Sequence, residues 1–132
     1  MPIRTKRWND PREPDDGLRI LITRYRPRGL PKSEETWDVW MKELSPSAEL
    51  LAGFHGKGRT QITWDVYRAA YLREMRASDD AQTQIAELAY RVASGEAITL
   101  LCSSACVRES RCHRSLLREL IEKQIERDAK PE

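Results

Sequence analysis

Three cysteines, Cys102, Cys106 and Cys112, fall within eleven residues near the carboxyl end of the chain, and the rest of the sequence has none. The last is followed directly by His113 and Arg114. Thiolates and imidazole nitrogens are nucleophiles, acid–base groups or metal ligands, and a guanidinium holds phosphate or carboxylate in two parallel bonds. If Ser110 caps a helix here, Cys112 and His113 lie in its first turn, where unpaired amides and the dipole favour anions. A thiol placed there beside arginines has a lowered pKa and more thiolate at neutral pH. This reading makes Cys112 and His113 the candidate catalytic groups and Arg114 an anion ligand. The plainer reading packs Cys112 in the core, has His113 cap locally and leaves Arg114 in water.

A second cluster is Arg24, Arg26 and Arg28, interleaved with Tyr25 and Pro27. Guanidinium forks around an aromatic face suit phosphates and stacked bases, which makes the three arginines candidate ligand-binding residues. Arg108, Arg111 and Arg114 crowd another short segment, so a local basic pocket forms if the two segments meet. The competing expectation is that the first three arginines tie down carboxylates such as Asp38 or Glu43. His55, in the glycine-bearing stretch Phe54–Gly58, is an acid–base candidate, although a single loop histidine is more often simply exposed.

Cys102, Cys106, Cys112 and His113 also supply four donors for zinc or iron. Their spacing is not that of a common zinc module, since no C-x-x-C is present. Neighbours on a helix point about 100° apart, so Cys112 and His113 reach one ion only from irregular backbone. Apart from this alternative, no cofactor is called for. A disulfide switch between two of the three cysteines is a further expectation, with Cys102 at a strand end and Cys112 at a helix start able to approach across the connecting loop. The segment from Cys106 to Arg111 loosely imitates a cysteine-phosphatase loop, but it lacks glycine and carries Glu109, which repels phosphate.

These groups sit in a chain of 132 residues, 39% hydrophobic and 33% charged, which fits a single domain over residues 1–132 with a solvated surface. The net charge of +2 does not indicate nucleic acid as a partner, although the clusters allow a nucleotide or a small anionic ligand. No apolar run approaches a membrane span, and the basic start Arg4–Arg7 has no apolar stretch after it. A cytoplasmic location and no membrane partner are the corresponding expectations. An odd number of cysteines argues against a disulfide framework. No pattern specifies an oligomeric state.

Leu18–Thr23 and Ala97–Cys102 read as buried strands, and Ile3–Trp8 as a weaker one. Pro14–Gly17 is a turn, and Arg24–Pro31 a proline-bearing loop. Helices are expected from Ser33 through Leu44, with Trp37, Trp40, Met41 and Leu44 on one face, and from Ser45-Pro46 to near Gly53 or Gly56. A third carries Ile62, Val66, Tyr67, Ala70, Tyr71 and Met75 on one side. A fourth runs from Ser78 to Gly95, and the last, bearing Leu116, Leu117, Leu120, Ile121 and Ile125, frays over about 128–132. Together they predict an α/β fold, a small and mainly parallel sheet flanked by about five helices. In such sheets ligands bind outside the carboxyl ends of the strands, where both Arg24–Gly29 and Cys102–Arg114 begin.

The blocks Asp16–Leu21, Arg26-Pro27-Arg28-Gly29-Leu30, Trp37-Asp38-x-Trp40-x-Lys42-Glu43-Leu44-x-Pro46-Ser47, Tyr67 with Tyr71, and Thr99-Leu100-Leu101 resemble the bacterial "domain of unknown function 488" family. The resemblance runs from about Ile3 to Leu120. Cys102 and Cys112-His113-Arg114 are similar to one branch, whereas another branch has an asparagine-containing segment there. The resemblance implies a compact α/β fold and imports no activity. It also implies that any role shared by the whole family rests on the arginines and glycine of the first loop rather than on thiols.

Three functions follow. The leading one is a binding domain or enzyme for a phosphorylated or otherwise anionic ligand, a nucleotide or a nucleic-acid end, held by Arg24, Arg26, Arg28 and Arg114. The second is a thiol-redox or metal-binding protein using the cysteine cluster. The third is a non-catalytic structural or partner-binding module.

Overall fold

The computed structural model of the chain describes residues 3–55 and 61–130, with the His55 side chain excepted. Four parallel strands, β1 (Ile3–Arg7), β2 (Leu18–Leu21), β3 (Val39–Trp40) and β4 (Ile98–Cys102), form one sheet in the order β1-β4-β2-β3. Arg19 stands opposite Thr99 across the β2–β4 pair, and Arg4 opposite Thr99 across β1–β4. Strand side chains alternate between faces. Ile3, Ile20, Ile98 and Leu100, with Ile22 just beyond β2, join the helices in one buried cluster. Arg4, Lys6, Arg19 and Thr99 fall on the opposite face.

That opposite face has no α-helix among the described residues. Residues 8–17 cross it between β1 and β2, containing only a 3-10 turn at Pro14–Asp16. Parallel crossovers usually place a helix there, with an apolar stripe to bury. Here the filling is polar. Arg19, fully buried, donates to the carbonyls of Trp8, Asp10 and Pro11 and to Asp16 Oδ2 at 2.7 Å. Asp16, also fully buried, lies 2.8 Å from Lys6 Nζ, accepts from the Glu13 amide, and through its carbonyl accepts from Thr99 Oγ1. Burial alone would raise the Asp16 carboxyl. Lys6, the Glu13 amide and Arg19 outweigh it and hold the group at about 2. Gly17 closes the crossover at φ +63°, where any Cβ would collide with the Ala97 carbonyl.

The stretch expected as a helix from Ser33 to Leu44 is not one. It holds a 3-10 turn at Lys32–Glu34, the strand β3 and a second 3-10 turn at Lys42–Leu44. Sheet pairing overrides the helical spacing. The Asp38 amide donates to Arg19 O, the Met41 amide to Leu21 O, and the Asp38 carboxylate accepts from the Arg19 amide at 2.8 Å and from Arg12. The apolar residues at helical spacing therefore belong to an edge strand and its flanking turns.

Four α-helices cover the other face: α1 (Ala48–His55), α2 (Trp64–Ala77), α3 (Asp79–Ala93) and α4 (His113–Ala129). Helix α1 starts after Ser47 rather than at Ser45-Pro46: Ser47 Oγ accepts from the Leu50 amide, while Ser45 Oγ donates back to Lys42 O. Phe54 and His55 end α1 instead of forming a loop, and Gly56–Gly58 lie outside the described residues. Thr63 caps α2 and Ser78 caps α3, each by accepting a backbone amide three residues on. On α2, Tyr67, Tyr71 and Met75 are buried, but Val66 faces out, since the step from Val66 to Tyr67 turns it off the apolar stripe. Tyr71 donates to Leu44 O at 2.8 Å, and Tyr67 stacks on Phe54. Helix α4 continues to Ala129, past the expected onset of fraying at Asp128.

Asp16 gives the first prediction. Its carboxyl sits at about 2 in the folded chain against 3.8 ordinarily, so folding favours the ionised form. That contribution is complete above about pH 4 and is lost as pH falls through about 2, a difference of about 2 kcal/mol. Denaturant titrations from about pH 6 to about pH 2 should show the wild type losing stability over that window. Asp16→Asn should be destabilised by roughly 3–5 kcal/mol at neutral pH and show a flatter acid limb.

Candidate functional site

β2 and β4 are hydrogen-bonded neighbours running the same way, so the segments that follow them leave the same edge of the sheet. The Ile22 amide donates to Leu101 O and the Trp8 amide to Cys102 O, which carries the pairing to the last residue of β4. Alternation from Ile98 and Leu100 places Cys102 on the helix-covered face. After a tight turn in which the Cys106 amide donates to Ser103 O, residues Glu109–Arg111 make a 3-10 turn. Ser110 is inside that turn and does not cap the helix. The N-cap is Cys112, in extended backbone (φ −138°, ψ 146°), and α4 begins at His113. Cys112 therefore precedes the first turn instead of lying within it.

This backbone brings all three cysteines together. Their sulfurs lie within 4.8 Å of one another, with Cys102 Sγ 3.2 Å from Cys112 Sγ. Cys106 and Cys112 are joined by a disulfide with Cα atoms 6.6 Å apart, and Cys102 keeps a free thiol. Two of the three cysteines pair, as the sequence allows; the partner of Cys112 is Cys106 rather than Cys102, because the turn after β4 folds Cys106 back onto the helix start. His113 Nδ1 is 3.8 Å from Cys102 Sγ and 3.9 Å from Cys112 Sγ. Its Nε2 donates to Ile22 O at 2.8 Å, because a carbonyl can only accept. A neutral ring has a single N–H, so Nδ1 presents a bare lone pair toward the sulfurs.

The cluster is deeply buried: Cys102, Cys112, His113 and Arg114 are 4%, 3%, 4% and 5% exposed, and Cys106 is half-buried. Burial lowers His113 to about 4, reinforced by the Arg114 charge and only partly offset by the bond to Ile22. Burial pushes the Cys102 thiol up to about 11, more than the Ser103 amide and Arg114 pull it down. Cys102 is thus a protonated thiol at neutral pH. Arg114 donates to Cys106 O at 3.2 Å, while its buried Nε has no partner among the described residues.

The arginine loop divides. Arg26 is structural: it bonds Glu35 at 2.8 Å and Leu30 O, and lies over the Trp37 ring. Its carboxylate is Glu35, since Asp38 is held by Arg12 and the Arg19 amide, and Glu43 by Gln84. Arg24, half-buried, and Arg28, exposed, have no carboxylate partner among the described residues. The loop's attachment to α4 runs through Ile22 O, a backbone atom that side-chain motifs do not reveal; its only signal is that it follows a buried strand. The His55 side chain lies outside the described residues.

The family model described as "Active DUF488-N3 subclade" (DUF488-N3a) matches residues 3–125, which span the whole sheet and the cysteine cluster. The chain belongs to the DUF488 family. Among its DUF488 relatives, the uncharacterized protein YeaO of Escherichia coli strain K12 is 36% identical over 104 residues, covering 79% of this chain and 84% of that protein. The uncharacterized proteins Mb3100c of Mycobacterium bovis and Rv3073c of Mycobacterium tuberculosis H37Rv are each 30% identical over 76 residues, 58% of this chain and 62% of theirs. No solved structure matches. No helix among the described residues of this DUF488 chain is long and apolar enough to cross a membrane.

Burial ranks the thiols of the DUF488 chain. After mild reduction, alkylation of the folded protein at neutral pH should mark Cys106 first and leave Cys102 unmodified until denaturant is added. Peptide mass spectrometry reads the order, and Cys102 labelling as fast as Cys106 would contradict the buried placement.

Proposed function

We propose that the carboxyl edge of the sheet is a binding site for a phosphate-bearing ligand with an aromatic base, a nucleotide or the end of a nucleic acid. The observation that carries this reading is a contrast among arginines. Arg4, Arg7, Arg12, Arg19 and Arg26 each hold a carboxylate. Arg24 and Arg28 after β2, and Arg108 and Arg111 after β4, hold none among the described residues, although both segments leave neighbouring strands at one edge. Unpaired guanidinium groups gathered at the end of a parallel sheet suit a multiply charged anion.

Two further features support it. Helix α4 has neither a side-chain cap nor an acidic residue in its first turn, so its leading amides and the positive end of its dipole are uncompensated. Tyr25, beside Arg24, is 62% exposed and offers a ring face on which a base can stack. Glu109, which would repel phosphate, is engaged by Arg118 at 2.9 Å. Binding is the activity proposed. Cys112 and His113, the groups a reaction would call on, are buried.

Calorimetric titration with inorganic phosphate, adenosine monophosphate and a short 5′-phosphorylated oligonucleotide tests the reading. Arg28→Ala and Arg111→Ala should each weaken nucleotide binding about ten- to a hundred-fold, the loss of one charge-assisted bond of roughly 1.5–3 kcal/mol. Tyr25→Ala should weaken the nucleotide and leave phosphate unchanged. Affinity that survives the Arg28→Ala, Arg111→Ala double substitution, or no saturable binding by the wild type, would refute it.

A further inference from the structure

The cysteine cluster carries a second function that does not depend on the anion site. We propose that the reduced chain holds a zinc-class divalent ion, with the sulfurs of Cys102, Cys106 and Cys112 and Nδ1 of His113 as its four ligands.

A tetrahedral ion with sulfur at about 2.3 Å and nitrogen at about 2.0–2.1 Å spaces its ligand atoms about 3.5–3.8 Å apart. Cys102 Sγ and Cys112 Sγ are 3.2 Å apart, and His113 Nδ1 is 3.8 and 3.9 Å from them. Three donors therefore already stand within about 0.6 Å of the required edges. The third sulfur, Cys106, lies within 4.8 Å of the other two on a half-buried turn that can adjust. The objection that adjacent helical residues diverge does not apply, because Cys112 is in extended backbone and only His113 begins the helix.

The surroundings are those of a metal ligand set. Metal-bound histidine usually donates its other ring N–H to a carbonyl or carboxylate, which fixes the ring and leaves the ligating nitrogen bare. His113 does this through Nε2 to Ile22 O at 2.8 Å. Three thiolates and a neutral imidazole around a divalent ion carry one net negative charge. Arg114 supplies the matching positive charge, and its buried Nε–H has no partner among the described residues. Four protein ligands with no open position describe a closed, structural site. It would fasten the end of β4, the turn that follows and the start of α4 to one centre.

The Cys106–Cys112 bond is the metal-free alternative for the same groups, since a sulfur in a disulfide is a poor ligand. A dithiol reductant cleaves it: the S–S bond breaks, each sulfur gains an electron and a proton, and the reductant closes to its own disulfide. Metal binding then displaces the thiol protons into solvent. The site is thus available only under reducing conditions.

Cobalt is the probe. The full chain, reduced with a dithiol and freed of it without air, is titrated with Co²⁺. One equivalent should develop thiolate-to-cobalt charge-transfer absorption and the strong visible bands of tetrahedral geometry, all removed by Zn²⁺. The oxidised wild type, which keeps the fold, should give neither. Cys106→Ser alters a half-buried turn residue and should weaken cobalt binding by about a hundred-fold or more, the order expected when one of four ligands is lost. Absence of charge transfer in the reduced wild type, or an equally strong band in Cys106→Ser or in the oxidised protein, would overturn the proposal. Phosphate and nucleotide binding is read separately, so either function can fail alone.

Discussion

A carboxylate buried without partners costs several kcal/mol, and the polar face of this sheet is arranged so that Asp16 never meets that cost. Asp16 stands in the crossover from β1 to β2 and draws in Lys6 from β1, Arg19 from β2 and, through its carbonyl, Thr99 from β4. Three strands are thus referred to one residue. Arg19 extends the connection by bonding three carbonyls of residues 8–11, so the crossover is held by hydrogen bonds where a helix would have used apolar packing. The arrangement tolerates little change. A neutral substitute at Asp16 leaves Arg19 buried without a counter-charge, and one at Arg19 removes a buried partner of Asp16 and leaves it to Lys6 and Arg4.

The carboxyl edge of the sheet inherits its geometry from this centre. With β1 and β2 fixed on either side of β4, the chain leaves β2 and β4 side by side, and His113 reaches from α4 to the carbonyl just beyond β2. That bond links the end of β2, where the arginine loop begins, to the helix that Cys112 caps. The arginine-bearing segment after β2 and the cysteine-bearing segment after β4 therefore leave one edge of the sheet.

Much of this was readable from residue order. The apolar runs Leu18–Thr23 and Ala97–Cys102 mark the two central strands, and parallel pairing brings their ends together, as the α/β pattern predicts. Chain pattern misleads at residues 33–44, where Trp37, Trp40, Met41 and Leu44 imitate a helix face. The Arg19 amide and carbonyl each find a partner in Asp38 and draw Val39 and Trp40 into the sheet. Such long-range pairing leaves no trace in local periodicity. Arg26 belongs with the structural residues for the same reason, because its partner Glu35 is recognisable only once the loop is folded. The gathering of three cysteines was visible as composition. Their convergence with His113 required the extended backbone of Cys112, which the helix-start reading had placed one step too far into the helix.

The sheet is short at one border and charged at the other. β3 contributes only Val39 and Trp40, too brief a ladder for a foreign strand to extend. At the far border, β1 interleaves Arg4, Lys6 and Arg7 among its residues. Strand-to-strand addition would have to set those cations against an incoming backbone with little to gain, so an open parallel sheet is kept from polymerising through its margins. The same lysine and arginines that neutralise the acidic crossover also discourage fibril growth, and a charge-reversing change in β1 would weaken both safeguards together.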